Sequence, residues 1–218
     1  MVTLDYMFYA LISFWTTFYI SAYIFDNDDV VTRPKQQITK EKVNRRLIGN
    51  VCATIMFLPV IPYIPELIVY NNMFTKYICT ALLAESWFHF THLLLHTKYL
   101  YFLHADHHAF ITSSSFGGLY CSFFEMIFVN LGSAVFPLAI AGNSFSFWEV
   151  IVIFNMLALN VVLGHSQSYK DPYWKDRLFF FIIDNRCHEI HHKYLTKNYG
   201  SLGIFDYLLG TYQKEVNA

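Results

Sequence analysis

At 218 residues and 25.6 kDa the chain is sized for one domain. Hydrophobic residues make up 55% of it, aromatic residues 19% and charged residues only 14%, against roughly 25% charged in a soluble domain, which excludes a protein surrounded by water on all sides. The formal net charge of −1 excludes the overall basic field that nucleic-acid binding would use.

Leu4–Phe25 is 22 residues long with Asp5 as its only charge, enough to cross a hydrocarbon core of about 30 Å as a helix. The opening MVTLDYMFYA has no basic n-region and SAYIFDNDD no small-residue cleavage site, so this first span is expected to stay as an anchor. The polar stretch DNDDVVTRPKQQITKEKVNRR follows, basic in its second half. Residues 47–70 are apolar but broken by Pro59, Pro62 and Pro65, giving a kinked span or a helix that runs into irregular chain. Residues 77–95 form a third hydrophobic segment interrupted by Glu85, His89 and His92. Residues 119–140 and 147–163 form the fourth and fifth, either two crossings or one re-entrant hairpin. From Gly164 onward the chain is polar enough for water, with RLFFFII at 177–183 as a candidate helix lying on the membrane. The expected fold is all-α, an integral membrane helical bundle of four to five hydrophobic segments capped by a cytosolic, histidine-rich helical region, with residues 1–218 forming a single domain.

Lysine and arginine concentrate in loops on the cytoplasmic side of a membrane. If all five segments cross, alternation places residues 26–46, 97–118 and 164–218 on one face, and that face holds fourteen of the fifteen basic residues. The same alternation brings the ends of the third and fifth segments and the C-terminal region together, which is where the histidines are. Lys170, Lys175, Arg177 and Lys197 could belong to a docking surface there, although the inside bias alone accounts for them. Cys52, Cys79, Cys121 and Cys187 form no CxxC pair, so neither a zinc ribbon nor a disulfide framework is suggested; Cys187 adjoins His188 and is a conceivable extra ligand.

All ten histidines lie between His89 and His192. HLLLH places His92 and His96 four apart, HADHH places His104, His107 and His108 at offsets of three and four, and HEIHH repeats that pattern with His188, His191 and His192. On helices these offsets share a face, so each box can aim its imidazoles at one point. His165, just after the fifth segment, lies on the same side, and His89 sits one turn before His92. Zinc takes about four ligands and first-row metals at most about six, so eight or nine imidazoles imply two ions. Imidazole suits iron, zinc, copper and nickel alike. A site at a membrane face, without a haem-ligand motif, fits oxygen activation by two irons. Asp106, Glu189, Asp184 and Glu85 are placed to orient the imidazoles. Two other readings stand beside this one. HEIHH satisfies HExxH, with His188 and His192 as zinc ligands and Glu189 as the general base of an intramembrane metalloprotease. A histidine-rich metal transporter or sensor would line a path with such residues.

HLLLH at 92–96, HADHH at 104–108 and HEIHH at 188–192, followed by NYGSLGIFDYLLGTY, resemble the fatty acid hydroxylase and sterol desaturase superfamily of membrane di-iron enzymes over roughly residues 77–214. The resemblance implies a multi-pass enzyme of the endoplasmic reticulum, its boxes and C-terminus cytosolic. It would hydroxylate or desaturate a lipid with O2 and electrons from a separate cytochrome b5 and its reductase. It also implies two irons, with zinc a possible substitute, held by His92, His96, His104, His107, His108, His188, His191 and His192, with His165 matching an extra histidine of the superfamily. Thr91 and Leu93 flank the first box where an arginine commonly follows the histidine, and the chain is short for the group; both departures bear on the substrate more than on the metal centre.

Overall fold

The computed structural model describes residues 4–26, 30–34, 38–59, 72–141, 145–166 and 185–213. In chain order these form helix α1 (Leu4–Phe25), strand β1 (Val31–Thr32), helices α2 (Lys40–Phe57) and α3 (Met73–Leu95), strand β2 (Phe110–Thr112), and helices α4 (Phe123–Ala141), α5 (Phe147–His165), α6 (Asn185–Tyr194) and α7 (Ile204–Leu209). The protein is an all-α membrane bundle: α1, α3, α4 and α5 are each long and apolar enough to cross a bilayer. Large apolar side chains face outward around them, among them Ile12 and Ile20 on α1, Phe74 and Leu82 on α3, and Val152 and Met156 on α5.

Side-chain chemistry marks where the helices begin. Thr39 accepts from Lys42 N at the start of α2, Asn72 from Phe74 N and Thr75 N at the start of α3, and Ser122 from Glu125 N at the start of α4. Ser146 and Glu149 form a reciprocal capping box on α5. Each cap satisfies backbone donors that have no partner within the helix.

Three helices run the same way. Tyr6 packs edge-on against Phe147 at the first turns of α1 and α5, Ser13 and Thr17 donate to Asn155 Oδ1 midway, and Ser166 donates to Phe25 O just past their ends. Lys76 in the first turn of α3 pairs with Glu149 in the first turn of α5, so α3 starts at the same end. Because α1 and α3 are parallel, the chain between them has to return. α2 begins that return: Arg46 near its start pairs with Asp106 at the histidine end, and Thr54 farther along accepts from Trp15 Nε1 midway down α1. α4 also descends from the histidine end, where Glu125 in its first turn faces His104, and it contains a π-helical stretch, Met126–Leu131, secured by a Trp87 Nε1 donation to Phe128 O.

The expected second span, residues 47–70, takes a different form. α2 starts earlier, at Lys40, and its charged first half keeps it out of the set of long apolar helices; residues 60–71 lie outside the described ones. HADHH is not on an α-helix either. His104 follows a 3-10 turn and His107–Ala109 form another, because the chain has to reverse there between α3 and β2. HEIHH is helical, within α6. The candidate surface helix at 177–183 lies outside the described residues.

The basic segment after α1 reaches the histidine end. Val31 pairs with Thr112 and Thr32 with Phe110 in an antiparallel ladder, and Arg33 then donates from Nε to His108 O at 2.8 Å and from Nη2 to His192 O at 2.6 Å. One guanidinium therefore ties the HADHH turn to the last turn of α6, where unpaired carbonyls favour a cation. Arg33→Ala is expected to cost about 1.5–3 kcal/mol in a reversible unfolding assay in detergent, the usual range for charge-assisted bonds to partly buried groups. Arg33→Lys, which can serve only one carbonyl well, should recover less than half of that.

Candidate metal centre

All nine box and near-box histidines meet at one end of the bundle, in two groups. His92, His96, His104, His108 and His191 form the first, and His107, His165, His188 and His192 the second; within each group one ligating atom per residue lies within 4.8 Å of all the others. Each HxxHH box is divided between them. His104 and His108 enter the first group and His107 the second, whereas His188 and His192 enter the second and His191 the first. The expectation that each box aims all three imidazoles at one point is therefore corrected. On α6 the i and i+4 side chains share one direction while i+3 points to the other side of the shared centre, and the 3-10 turn at His107 achieves the same division without a helix.

The ring nitrogens show what the groups can hold. His92 Nδ1 lies 2.7 Å from Tyr199 O, His191 Nδ1 2.6 Å from Lys197 O, His165 Nδ1 2.7 Å from Val161 O and His192 Nδ1 3.1 Å from Phe110 O. A carbonyl only accepts, so each of these Nδ1 atoms carries the proton, and in a neutral ring Nε2 is then a bare lone pair. Those Nε2 atoms converge. Separations are 2.9 Å for His92 to His104, 3.1 Å for His96 to His108 and 3.2 Å from His191 to both His96 and His108 in the first group. In the second they are 2.9 Å for His165 to His188, 3.1 Å for His188 to His192 and 3.3 Å for His165 to His192. Nitrogens about 2.1 Å from one ion stand about 3.0 Å apart at right angles and about 3.4 Å apart at tetrahedral angles. His165 and His192 both carry their protons on Nδ1, so their facing Nε2 lone pairs, 3.3 Å apart, repel one another and cannot hydrogen-bond, and ring nitrogens converging at these separations fit one metal cation at each group. Gly118 belongs to this fit: a Cβ there would stand 2.7 Å from His165 Nδ1.

Glu125 is the carboxylate that sequence reasoning missed. Buried at the start of α4, it places Oε2 2.9 Å from His104 Nδ1 and Oε1 3.8 Å from His107 Nδ1, so one side chain faces an imidazole of each group. The signal was present, since Glu125 is the only acidic residue in the fourth hydrophobic segment. The expected carboxylates act elsewhere. Asp106 pairs with Arg46; Glu85 accepts from Ser201 N and Leu202 N; Glu189 is exposed beside a small opening lined also by Ser113, Ser166, His165 and His192; Asp184 lies outside the described residues. The side chain of Cys187 is also outside them. His89 joins neither group. It is fully buried with Nδ1 3.6 Å from Asp206 Oδ2.

Burial holds the imidazoles outside the spans in the neutral form. It lowers His96 to about 3, helped by His92, and pushes His104, His107, His108, His188, His191 and His192 well below the usual range, with the neighbouring imidazoles acting in the same direction. Below the unfolded-chain value of roughly 6.5 the unfolded state binds protons that the folded state refuses, so stability is full above that pH and falls as pH drops toward the folded values. In detergent, the metal-free protein is expected to lose thermal stability continuously from about pH 6.5 down to about pH 3. Each such histidine steepens the loss by up to about 1.4 kcal/mol per pH unit. A flat profile across this range would show that the histidines are not held neutral.

Residues 77–211 match the fatty acid hydroxylase family. Similar curated proteins include the very-long-chain aldehyde decarbonylase GL1-11 of Oryza sativa subsp. indica, 30% identical over 141 residues that cover 62% of this chain and 52% of that protein. The very-long-chain aldehyde decarbonylase GL1-8 of the same subspecies is 30% identical over 134 residues, 59% of this chain and 48% of its own. Methylsterol monooxygenase 1 of Gallus gallus is 26% identical over 133 residues, 60% of this chain and 44% of its own. The chain spans about half the length of the curated relatives it matches. No solved structure matches it. The matched region takes in more than half of the chain and every histidine of both groups, and the protein belongs to the fatty acid hydroxylase family.

Proposed function

We propose that the protein is a membrane-bound di-iron oxygenase that hydroxylates or desaturates a lipid of sterol or fatty acyl type. The observation that carries this reading is the pair of converging Nε2 sets at the membrane end of α3 and α5. One ion is held by His92, His96, His104, His108 and His191 and the other by His107, His165, His188 and His192. Imidazole accepts zinc as readily as iron, so purified protein can carry zinc in its place. The chemistry that two irons and O2 supply at such a centre is oxidation of an unactivated C–H bond. The protein's own residues do the rest. Backbone carbonyls hold the Nδ1 protons of His92, His165, His191 and His192 and aim the opposite nitrogens, Glu125 faces His104 and His107, and burial limits access of water. Spans α3 and α5 end at the centre, so a lipid can approach it from the bilayer. The relatives, a methylsterol monooxygenase and very-long-chain aldehyde decarbonylases by name, support an apolar lipid substrate.

Electrons come from a separate cytochrome b5 and its reductase in this reading. The centre faces the cytosol at the endoplasmic reticulum, on the side that holds the basic segment after α1. Of the basic residues considered for docking, Lys197 is described and Lys170, Lys175 and Arg177 lie outside the described residues.

The metalloprotease reading makes His191 a bystander, yet its Nε2 lies 3.2 Å from His96 and His108 in the other group. A transporter would distribute histidines along a path through the bundle, whereas nine of the ten collect at one end.

Metal analysis of the protein purified in mild detergent should approach two ions per chain, and lipid profiling of cells with and without the gene should show one oxidised lipid lost. Within HEIHH, His191→Ala should abolish lipid oxidation and lower the metal content, while Glu189→Gln should retain both metals and measurable turnover. A dead Glu189→Gln variant beside a normal His191→Ala variant would replace the oxygenase with the protease. Glycosylation acceptors placed within residues 26–46 and after Ala218 should both remain unmodified, and modification of either would overturn the cytosolic orientation.

A further inference from the structure

The loop between α6 and α7 presents two carbonyls to two imidazoles of the five-histidine group, Lys197 O to His191 Nδ1 and Tyr199 O to His92 Nδ1. The four-histidine group does not use this loop in the same way: His165 and His192 take their carbonyls from Val161 and Phe110, and His107 faces Glu125. Aiming alternate carbonyls this way requires unusual backbone. Leu195 has φ 62° and Asn198 φ 55°, the left-handed region that side chains disfavour and that persists only where surroundings over-determine it.

The surroundings here do so from three sides. Asn198 Oδ1 accepts from Gln213 N and its Nδ2 donates to Gln213 O. Asp206, fully buried in the first turn of α7, accepts from Tyr199 N and Thr211 Oγ1 through Oδ1 and from Gly200 N through Oδ2. Glu85, on the membrane-spanning α3, accepts from Ser201 N and Leu202 N through Oε2. Gly200 lies between the two carboxylates, where a Cβ would stand 2.5 Å from Glu85 Oε1 and 2.7 Å from Asp206 Oδ2. Neither carboxylate hydrogen-bonds an imidazole of either group, and the backbone N–H groups from which they accept all belong to residues 199–202 of this loop.

We infer that Asp206 and Glu85 are positioning residues for the five-histidine metal position alone: by gripping the backbone of residues 199–202 they hold Lys197 O and Tyr199 O where these select the tautomer and direction of His191 and His92. The inference rests on the reading of the two histidine groups as two metal positions. It adds that one position depends on a clamp that the other does not use. In Asp206→Asn an NH2 replaces an acceptor oxygen and meets N–H donors, opening the clamp. In Glu85→Ala the grip is removed, whereas Glu85→Gln retains an oxygen that can accept from Ser201 N and Leu202 N.

The test is Co2+ titration of the full chain in detergent micelles, with bound ions counted and the visible spectrum recorded. The unmutated protein should take two ions, and fewer than two would overturn the underlying two-metal reading itself. With two established, Asp206→Asn and Glu85→Ala should each weaken one site about 10–100-fold, the usual consequence of losing an outer support, and leave the other unchanged. Glu85→Gln should behave as the unmutated protein. Combining Glu85→Ala with His188→Ala, which disables the four-histidine position, should remove tight binding altogether. Equal weakening of both sites by Asp206→Asn and Glu85→Ala, or none by either, would overturn the clamp. If Asp206→Asn does not fold, the contrast between Glu85→Ala and Glu85→Gln decides.

Discussion

Imidazoles turned so that their Nε2 atoms face one another about 3 Å apart are the constraint on which the rest of this structure depends. Where both rings carry the proton on Nδ1, as in His165 and His192, the arrangement is repulsive without a cation, and with protonated rings it is worse. The fold therefore has to keep water and protons away while turning the rings toward one another. It grips four of the nine through backbone carbonyls, which can only accept and so leave no ambiguity about which nitrogen of those four carries the proton. Glu125 places one buried carboxyl group against two rings belonging to different groups.

Those grips come from distant parts of the chain, and the bundle exists to bring them together. The parallel course of α1, α3 and α5 delivers the ends of all three to one face. The descending α4 starts there with Glu125, and the short β1–β2 ladder brings Arg33 across to the backbone of both HxxHH boxes. The membrane supplies part of the design as well. In the bilayer, polar side chains need partners within the protein, and several find them in a few concentrated places: Asn155 with Ser13 and Thr17, Glu149 with Lys76 and Tyr77, and Glu85 with the loop after α6.

The division of each box between two groups gives the repeated HxxHH pattern a physical meaning. Each triplet contributes an i, i+4 pair to one group and its i+3 member to the other, in opposite senses, so the two boxes interlock. Each box therefore serves both groups, while a single histidine substitution removes a ligand from only one of them. The outer supports are not interlocked in the same way. The loop of residues 195–203 serves His92 and His191, while α5 and β2 serve His165 and His192.

By itself the sequence determined the features that depend on local chemistry: the hydrophobic lengths of α1, α3, α4 and α5, the helical spacing in HLLLH and HEIHH, and an excess of histidines over one coordination sphere. These are legible because hydrophobic length and side-chain periodicity act over a few turns of chain. The return path through α2 was less so, because a helix with a charged first half draws its stability from packing against α1 and from the Arg46 to Asp106 contact rather than from hydropathy. Only the tertiary structure decided that HADHH is a 3-10 turn, which histidine joins which group, and that Glu125 rather than Asp106 or Glu189 stands behind the imidazoles. Spacing says which side chains share a face, whereas the direction of a face is set by contacts between segments far apart in the chain.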